Sequence, residues 1–220
     1  MSLIVFDLDG TLIDSQRDLA DAANALIAER GGRPLPVDAI AGMVGEGAAL
    51  LVTRALTAAG VAETEDRALP RFLELYDERL LKTTRLYDGI GEAIDELRAD
   101  APLAVLTNKP IRATQRILEG LGVAPKFRWM IGGDGPFARK PDPAGLRHLM
   151  VQAHVDSSQT VMVGDSAIDL ATARAAGVRI CLARYGFGFK FKPGELRGDE
   201  SFADTPADIV SAVRTIRSST

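Results

Sequence analysis

The sequence predicts an α/β fold, with a parallel sheet covered by helices on both faces and an inserted all-helical domain. Short, nearly continuous apolar runs alternate with segments of helical period through the second half of the chain. Runs without polar alternation indicate strands that are covered on both faces, as in a parallel sheet. The stretch after the first run shows helical periodicity only, and it is longer than a connection requires.

Apolar runs bounded by Asp, Gly, Asn or Pro are predicted to form the strands. They are Leu3–Phe6, 103–106, 127–131, 160–163 and 178–182. The helices predicted between the later runs are 111–121, 143–153 and 168–176. Pro at the start of the first two helices and Gly177 after the third are typical helix boundaries. Strand alternating with helix is typical of a Rossmann-like α/β domain.

Residues 15–85 contain no convincing strand. Apolar residues recur at helical spacing within 19–27, 50–56 and 69–80. Because a crossover between parallel strands needs only a dozen or so residues, we expect a helical cap domain at 15–85. The catalytic core is then predicted to consist of 1–14 and 86–220.

Composition excludes several classes of protein. The chain of 220 residues is about one and a half domains at roughly 150 residues per domain. Its formal net charge of −4 offers no basic excess for a nucleic acid. One cysteine fits a reducing compartment, and no run approaches the roughly 20 apolar residues that span a bilayer. Asp7 and Asp9 interrupt the only apolar run near the N-terminus, so we expect no signal peptide there. We therefore expect a cytoplasmic protein without nucleic-acid or membrane partners.

Acidic residues follow the first predicted strand, in Asp7-Leu8-Asp9-Gly10. Ligands of parallel sheets bind beyond the carboxyl ends of the strands, so both carboxylates are expected at that edge. Two carboxylates this close repel each other unless a cation lies between them. Oxygen ligands of this kind favour Mg²⁺. Taken alone, Asp7 and Asp9 are explained equally well as capping aspartates at a polar strand end and as a metal site.

Further polar residues follow other predicted strands. Thr107 and Asn108 come after the second run, and Asp165 and Asp169 come after the run at 160–163. Lys140 precedes a predicted helix. Each is explained singly by a helix cap or a solvated side chain, but together they place acidic, hydroxyl and cationic groups at one end of one sheet. Such a set predicts a phosphate and metal site.

These motifs, in this order, resemble the four motifs of the haloacid dehalogenase superfamily, on its phosphatase side. The resemblance spans essentially the whole chain. The insertion is similar to the helical cap of the subgroup that includes phosphoglycolate phosphatases.

The resemblance implies a role for each matching residue. Asp7 would be the nucleophile, forming an aspartyl-phosphate. Asp9 would protonate the leaving alkoxide and then activate water. Thr107 and Asn108 would orient the phosphoryl group, and Lys140 would neutralise its oxygens. Because an alkoxide needs a proton and a leaving chloride does not, Asp9 favours phosphoester chemistry over dehalogenation.

The resemblance also implies a Mg²⁺ cofactor. Its ligands would be Asp7, the backbone carbonyl of Asp9, and Asp165. Asp169 would act less directly, through water or Lys140. A bound cation would offset the repulsion between an anionic nucleophile and an anionic phosphate.

Substrate choice is expected to lie in the cap. Val44-Gly45-Glu46-Gly47 and the later Arg54 resemble a stretch of phosphoglycolate phosphatases, and Arg54 is a candidate partner for a substrate carboxylate. Glu46 facing inward would instead favour a neutral or amine-bearing monoester.

The resemblance implies hydrolysis of a small phosphorylated metabolite, with 2-phosphoglycolate as the first candidate substrate, by a monomer or homodimer. The alternatives are a phosphatase for another monoester, a sugar-phosphate mutase, and a phosphate-responsive regulatory protein without turnover.

Overall fold

The computed structural model describes residues 2–218. The strands are β1 (Leu3–Phe6), β2 (Ile13–Asp14), β3 (Arg85–Leu86), β4 (Leu103–Leu106), β5 (Trp129–Ile131), β6 (Thr160–Gly164), β7 (Arg179–Ala183) and β8 (Ser201–Ala203). The α-helices are α1 (Gln16–Glu29), α2 (Val37–Ala41), α3 (Ala48–Ala58), α4 (Glu65–Asp77), α5 (Ile90–Asp100), α6 (Ile111–Gly120), α7 (Ala144–Ala153), α8 (Ala167–Ala176) and α9 (Pro206–Ser218).

The central sheet has the strand order β5-β4-β1-β6-β7-β8, and all neighbouring strands are parallel. The first strand in sequence lies in the middle, where Val5 is in register with Ala104 on one side and Met162 on the other. This arrangement confirms the predicted Rossmann-like α/β class. The strand β8 extends the sheet beyond the five predicted runs.

Successive residues of each strand enter two separate apolar cores. Ile4 and Phe6 of β1 belong to a core that includes residues of α5, α6 and α9. Leu3 and Val5 belong to the opposite core, with residues of α7 and α8. Because both faces are covered, every position of the central strands β1 and β4 is apolar, and full burial of such a side chain contributes about 1.5–3 kcal/mol.

The helices α1 to α4 form a helical segment (residues 15–85) between β2 and β3. These two strands pair antiparallel, with Ile13 opposite Leu86. They form a separate two-stranded sheet, so the chain enters and leaves the helical segment at neighbouring positions. Among residues 2–218, no helix combines the length and apolar character needed to cross a membrane.

A buried carboxylate fastens the two ends of the helical segment together. Asp18 of α1 accepts hydrogen bonds from the backbone N–H groups of Thr83 (2.9 Å) and Thr84 (2.8 Å) and from both threonine hydroxyls. Burial alone would raise the pKa of Asp18, but these hydrogen bonds outweigh it and lower the pKa. The entry and exit of the segment are thus held at one place beside β2 and β3.

Candidate active site

The carboxyl ends of β1, β4 and β6 meet at one edge of the sheet. Backbone pairing continues past the strands there, because Asp7 N–H donates to the carbonyl of Val163 at 2.9 Å. Thr107 N–H likewise donates to the carbonyl of Ile131 at 3.0 Å. The backbones of Asp7 and Thr107 are therefore held by the same hydrogen-bonding pattern as the strands, which fixes where the two residues lie.

Lys140 joins two of the predicted acidic residues. Its Nζ lies 2.8 Å from Asp7 Oδ1 and 2.6 Å from Asp169 Oδ1, and its side chain is only 3% exposed. Although burial opposes the charged form, the carboxylates of Asp169 and Asp7 raise the pKa of Lys140, which keeps it cationic. Lys140 is thus a fixed positive charge at the strand ends.

The second oxygen of Asp169 is used by the start of α8. Oδ2 accepts hydrogen bonds from Ser166 Oγ (2.6 Å), Ser166 N–H (3.1 Å) and Asp165 N–H (3.2 Å). Ser166 Oγ in turn accepts from Asp169 N–H, completing a capping box. With both oxygens engaged, Asp169 holds Lys140 and the helix start in place.

Asp165 is enclosed by glycines. Its Oδ2 accepts a hydrogen bond of 2.7 Å from Gly188 N–H. A Cβ at Gly10 would lie 2.0 Å from Asp165 Oδ2, and the φ of +86° at Gly10 is unfavourable for other residues. The turn after Asp9 therefore requires glycine so that the backbone can approach this carboxylate.

The acidic residues at this edge suit a divalent cation. Ligand atoms of Asp7, Asp165 and Asp169 lie within 4.8 Å of one another, and all three residues are buried. Burial and the charge of Asp169 raise the pKa of Asp7 and that of Asp165. Asp7 contacts Lys140, and Asp165 accepts hydrogen bonds from Gly188 N–H and Thr11 Oγ1. A carboxylate has about four lone-pair sites, so both can still ligate a cation. This is the all-oxygen donor set that Mg²⁺ prefers.

Asp9 has partners that the sequence analysis did not single out. Lys109 Nζ lies 2.9 Å from both carboxylate oxygens of Asp9, and Ser15 Oγ donates to Asp9 Oδ1 at 2.5 Å. Burial opposes the charge on Lys109, but Asp9 raises its pKa. The sequence feature that could have indicated Lys109 as a site residue is its position directly after Thr107 and Asn108, at the end of a predicted strand.

Asn108 connects the core to the helical segment. Its Nδ2 donates to the carbonyls of Lys140 and Gly45, each at 2.9 Å. Its Oδ1 accepts from Lys140 N–H at 2.8 Å. The amide therefore fixes the backbone of Lys140 and also meets the loop that contains Gly45.

The predicted residues of that loop have different surroundings. Gly45 lines a cavity above the strand ends, between the helical segment and the core. Glu46 and Arg54 form an ion pair with each other, with their side chains 42% and 40% exposed, and neither lines the cavity. Their charges therefore compensate each other outside the cavity lining.

The helical segment is closed over the strand ends. The cavity measures about 50 Å³ and is lined by Asp7, Asp9, Thr107, Lys109 and apolar residues of the segment. The helical segment therefore covers the strand ends and lines one side of the space above Asp7.

The sequence of this chain is similar to those of known proteins. A family model described as haloacid dehalogenase-like hydrolase matches residues 4–183. The phosphoglycolate phosphatase of Rhodospirillum rubrum is 43% identical over 192 residues, covering 84% of this chain and 80% of that protein. The phosphoglycolate phosphatase of Psychrobacter arcticus is 37% identical over 213 residues, 93% of each protein.

A solved structure shows the same fold. A crystal structure described as a predicted phosphoglycolate phosphatase from Haemophilus somnus has 32% identity and a TM-score of 0.90. It covers 97% of this chain and 98% of its own. The match to the family model covers most of the chain, and the relatives are phosphatases. This chain therefore belongs to the haloacid dehalogenase-like hydrolase family, and it is a phosphatase.

Proposed function

We propose that this protein is a Mg²⁺-dependent phosphomonoesterase that hydrolyses 2-phosphoglycolate through an aspartyl-phosphate on Asp7. The observation that supports the chemistry most is the buried group formed by Lys140, Asp7 and Asp169, with Asp165 beside it. The substrate is supported by relatives named phosphoglycolate phosphatase at 43% and 37% identity.

In the first step, a carboxylate oxygen of Asp7 attacks phosphorus and the bond from phosphorus to the leaving oxygen breaks. Lys140 Nζ, 2.8 Å from Asp7 Oδ1, orients that carboxylate and stabilises negative charge on the phosphoryl oxygens. Thr107 lines the same cavity and offers a hydroxyl to the phosphoryl group. Bound Mg²⁺ would reduce the repulsion between the two anions.

Asp9 supplies and recovers the proton. As a carboxylic acid it protonates the leaving oxygen, which departs as an alcohol. As a carboxylate it then takes a proton from water, whose oxygen forms a bond to phosphorus while the bond from phosphorus to Asp7 breaks. Inorganic phosphate leaves and Asp7 is regenerated. Ser15 and Lys109 hold the Asp9 side chain toward the cavity.

The helical segment acts as a cap domain in this proposal. Closed, it excludes bulk water from the aspartyl-phosphate, and open, it admits substrate and releases product. The antiparallel pair β2–β3 and the Asp18 hydrogen bonds at Thr83 and Thr84 form its base. Residues 15–85 are the mobile unit, and 1–14 with 86–220 are the catalytic core.

Phosphate release from a panel of about a hundred phosphorylated metabolites, with and without Mg²⁺, tests this function. We expect release to require Mg²⁺ and kcat/KM to be highest for 2-phosphoglycolate. EDTA should abolish release, and added Mg²⁺ should restore it.

The panel also separates the parts of the proposal. A different preferred ester would contradict the substrate and leave the chemistry standing. Isomer formation without net phosphate release would identify a mutase. Full activity in EDTA would contradict the role of the cation.

A further inference from the structure

The cavity has an end that the proposed chemistry does not use. Beyond Asp9, its walls are mostly apolar side chains of the helical segment, among them Leu19, Leu51 and Phe72. Lys109 is the cationic residue among those that line the cavity within residues 2–218. A negatively charged group on the leaving part of a substrate would therefore find its cationic partner in Lys109.

The Lys109 ammonium group can bind a further acceptor besides the carboxylate of Asp9. Its hydrogen bonds of 2.9 Å go to the two oxygens of one carboxylate, that of Asp9. An ammonium group has three N–H donors, so capacity for a further acceptor remains. Its Nζ also lies 4.7 Å from the centroid of the Tyr76 ring, which belongs to α4 of the helical segment.

Tyr76 adds a second, independent observation. The residue is 3% exposed and lines the same cavity. Its hydroxyl forms no hydrogen bond within the described part of the chain, although the Lys109 ammonium lies close to the same side chain. A buried hydroxyl needs a partner, which a bound ligand or a water molecule supplies. Burial raises the pKa of Tyr76 to about 12, so the hydroxyl keeps its proton and can donate.

We propose that Lys109 Nζ and the Tyr76 hydroxyl together bind a carboxylate on the leaving group of the substrate, and that this pair selects the substrate. The inference rests on the proposed function and assigns its specificity to two residues. A carboxylate offers two oxygens for the two donors. Because Lys109 touches Asp9, which protonates the leaving oxygen, the carboxylate belongs on the carbon next to that oxygen.

Arg54 is the competing candidate for this role. It has the charge that a carboxylate needs, but it is paired with Glu46 and does not line the cavity. Lys109 belongs to the core and Tyr76 to the helical segment, so a carboxylate bound between them would join the two. Binding of the correct substrate would then favour closure, which couples selection to catalysis.

The test compares two esters that differ in the carboxylate, 2-phosphoglycolate and ethyl phosphate. The readout is the ratio of their kcat/KM values, in which losses common to both substrates cancel. We expect wild type to favour 2-phosphoglycolate. Lys109→Met should reduce the ratio by about 10- to 100-fold, since a charge-assisted hydrogen bond is lost. Tyr76→Phe should reduce it by about 3- to 10-fold.

Tyr76→Phe also tests the proposal in a variant that should fold normally, because it removes only a hydroxyl that forms no hydrogen bond in the structure. Its melting temperature without ligand should equal or exceed that of wild type, since an unsatisfied buried group is lost. Arg54→Met is the matched comparison for Lys109→Met and should keep the wild-type ratio.

An unchanged ratio in Tyr76→Phe and Lys109→Met, or a loss of preference in Arg54→Met, would overturn the inference and leave the proposed substrate in place. A wild-type enzyme that hydrolyses both esters equally well would overturn the proposed substrate and the inference together. Mg²⁺-dependent phosphate release would still stand in that case.

Discussion

Asp7→Asn is expected to abolish phosphate release from every monoester, by about 10⁴-fold or more. An amide oxygen is too poor a nucleophile to attack phosphorus, while the shape of the side chain is unchanged. The fold should persist, because Asn keeps an oxygen acceptor for Lys140 and removes one of three crowded carboxylates. The melting temperature without metal should not fall below that of wild type.

The matched control for this variant is Asp14→Asn. Asp14 lies in β2, close to Asp7 in the sequence, but its side chain contacts Gln16 and Arg85 and does not line the cavity. An amide oxygen can still accept the Gln16 hydrogen bonds. We expect wild-type turnover from Asp14→Asn. Phosphate release from Asp7→Asn within tenfold of wild type would rule out Asp7 as the nucleophile.

Lys140→Met is expected to lose both activity and stability. The substitution leaves Asp7 and Asp169 buried beside each other without their shared cation. Removal of one partner from a buried ion pair costs about 3–5 kcal/mol of unfolding free energy. Phosphate release should fall by about 10³-fold, since charge on the phosphoryl oxygens is no longer stabilised. Urea unfolding and a phosphate assay measure the two effects.

Lys126→Met is the control for Lys140→Met, because it removes a lysine from an ion pair outside the candidate site. Lys126 pairs with Asp95 at 2.8 Å, but the pair lies at the surface. Exposed pairs of this kind contribute about 0–1 kcal/mol. We expect Lys126→Met to change the unfolding free energy by no more than that and to keep full activity. A Lys140→Met protein as stable and active as Lys126→Met would contradict the role assigned to Lys140.

Much of the fold could be predicted because its strands are buried on both faces. Runs such as Leu3–Phe6 and Leu103–Leu106 are apolar at every position, which few other structures require. The strand β8 carries no such pattern, since Ser201 and Phe202 are only partly buried at the edge of the sheet. The strands β2 and β3 are two residues long, too short for any periodicity.

The candidate site likewise contains residues that the sequence could predict and contacts that it could not. Asp7, Thr107 and Asp165 directly follow strands, so topology alone brings them together. The contact between Lys109 and Asp9 depends on side-chain directions after the strands end, where periodicity gives no information. The approach of Tyr76 depends on how α4 packs over the core. The ion pair of Glu46 with Arg54 likewise arises from the turn before α3.

Trapping the covalent intermediate tests the central claim, nucleophilic attack by Asp7, most directly. Wild-type protein with Mg²⁺ would be mixed with substrate labelled at phosphorus, quenched in acid within one turnover, and digested. We predict label on the peptide that contains Asp7, formed before free phosphate and absent from Asp7→Asn. Release of labelled phosphate with no labelled peptide at any quench time would contradict an aspartyl-phosphate mechanism and indicate direct attack by water.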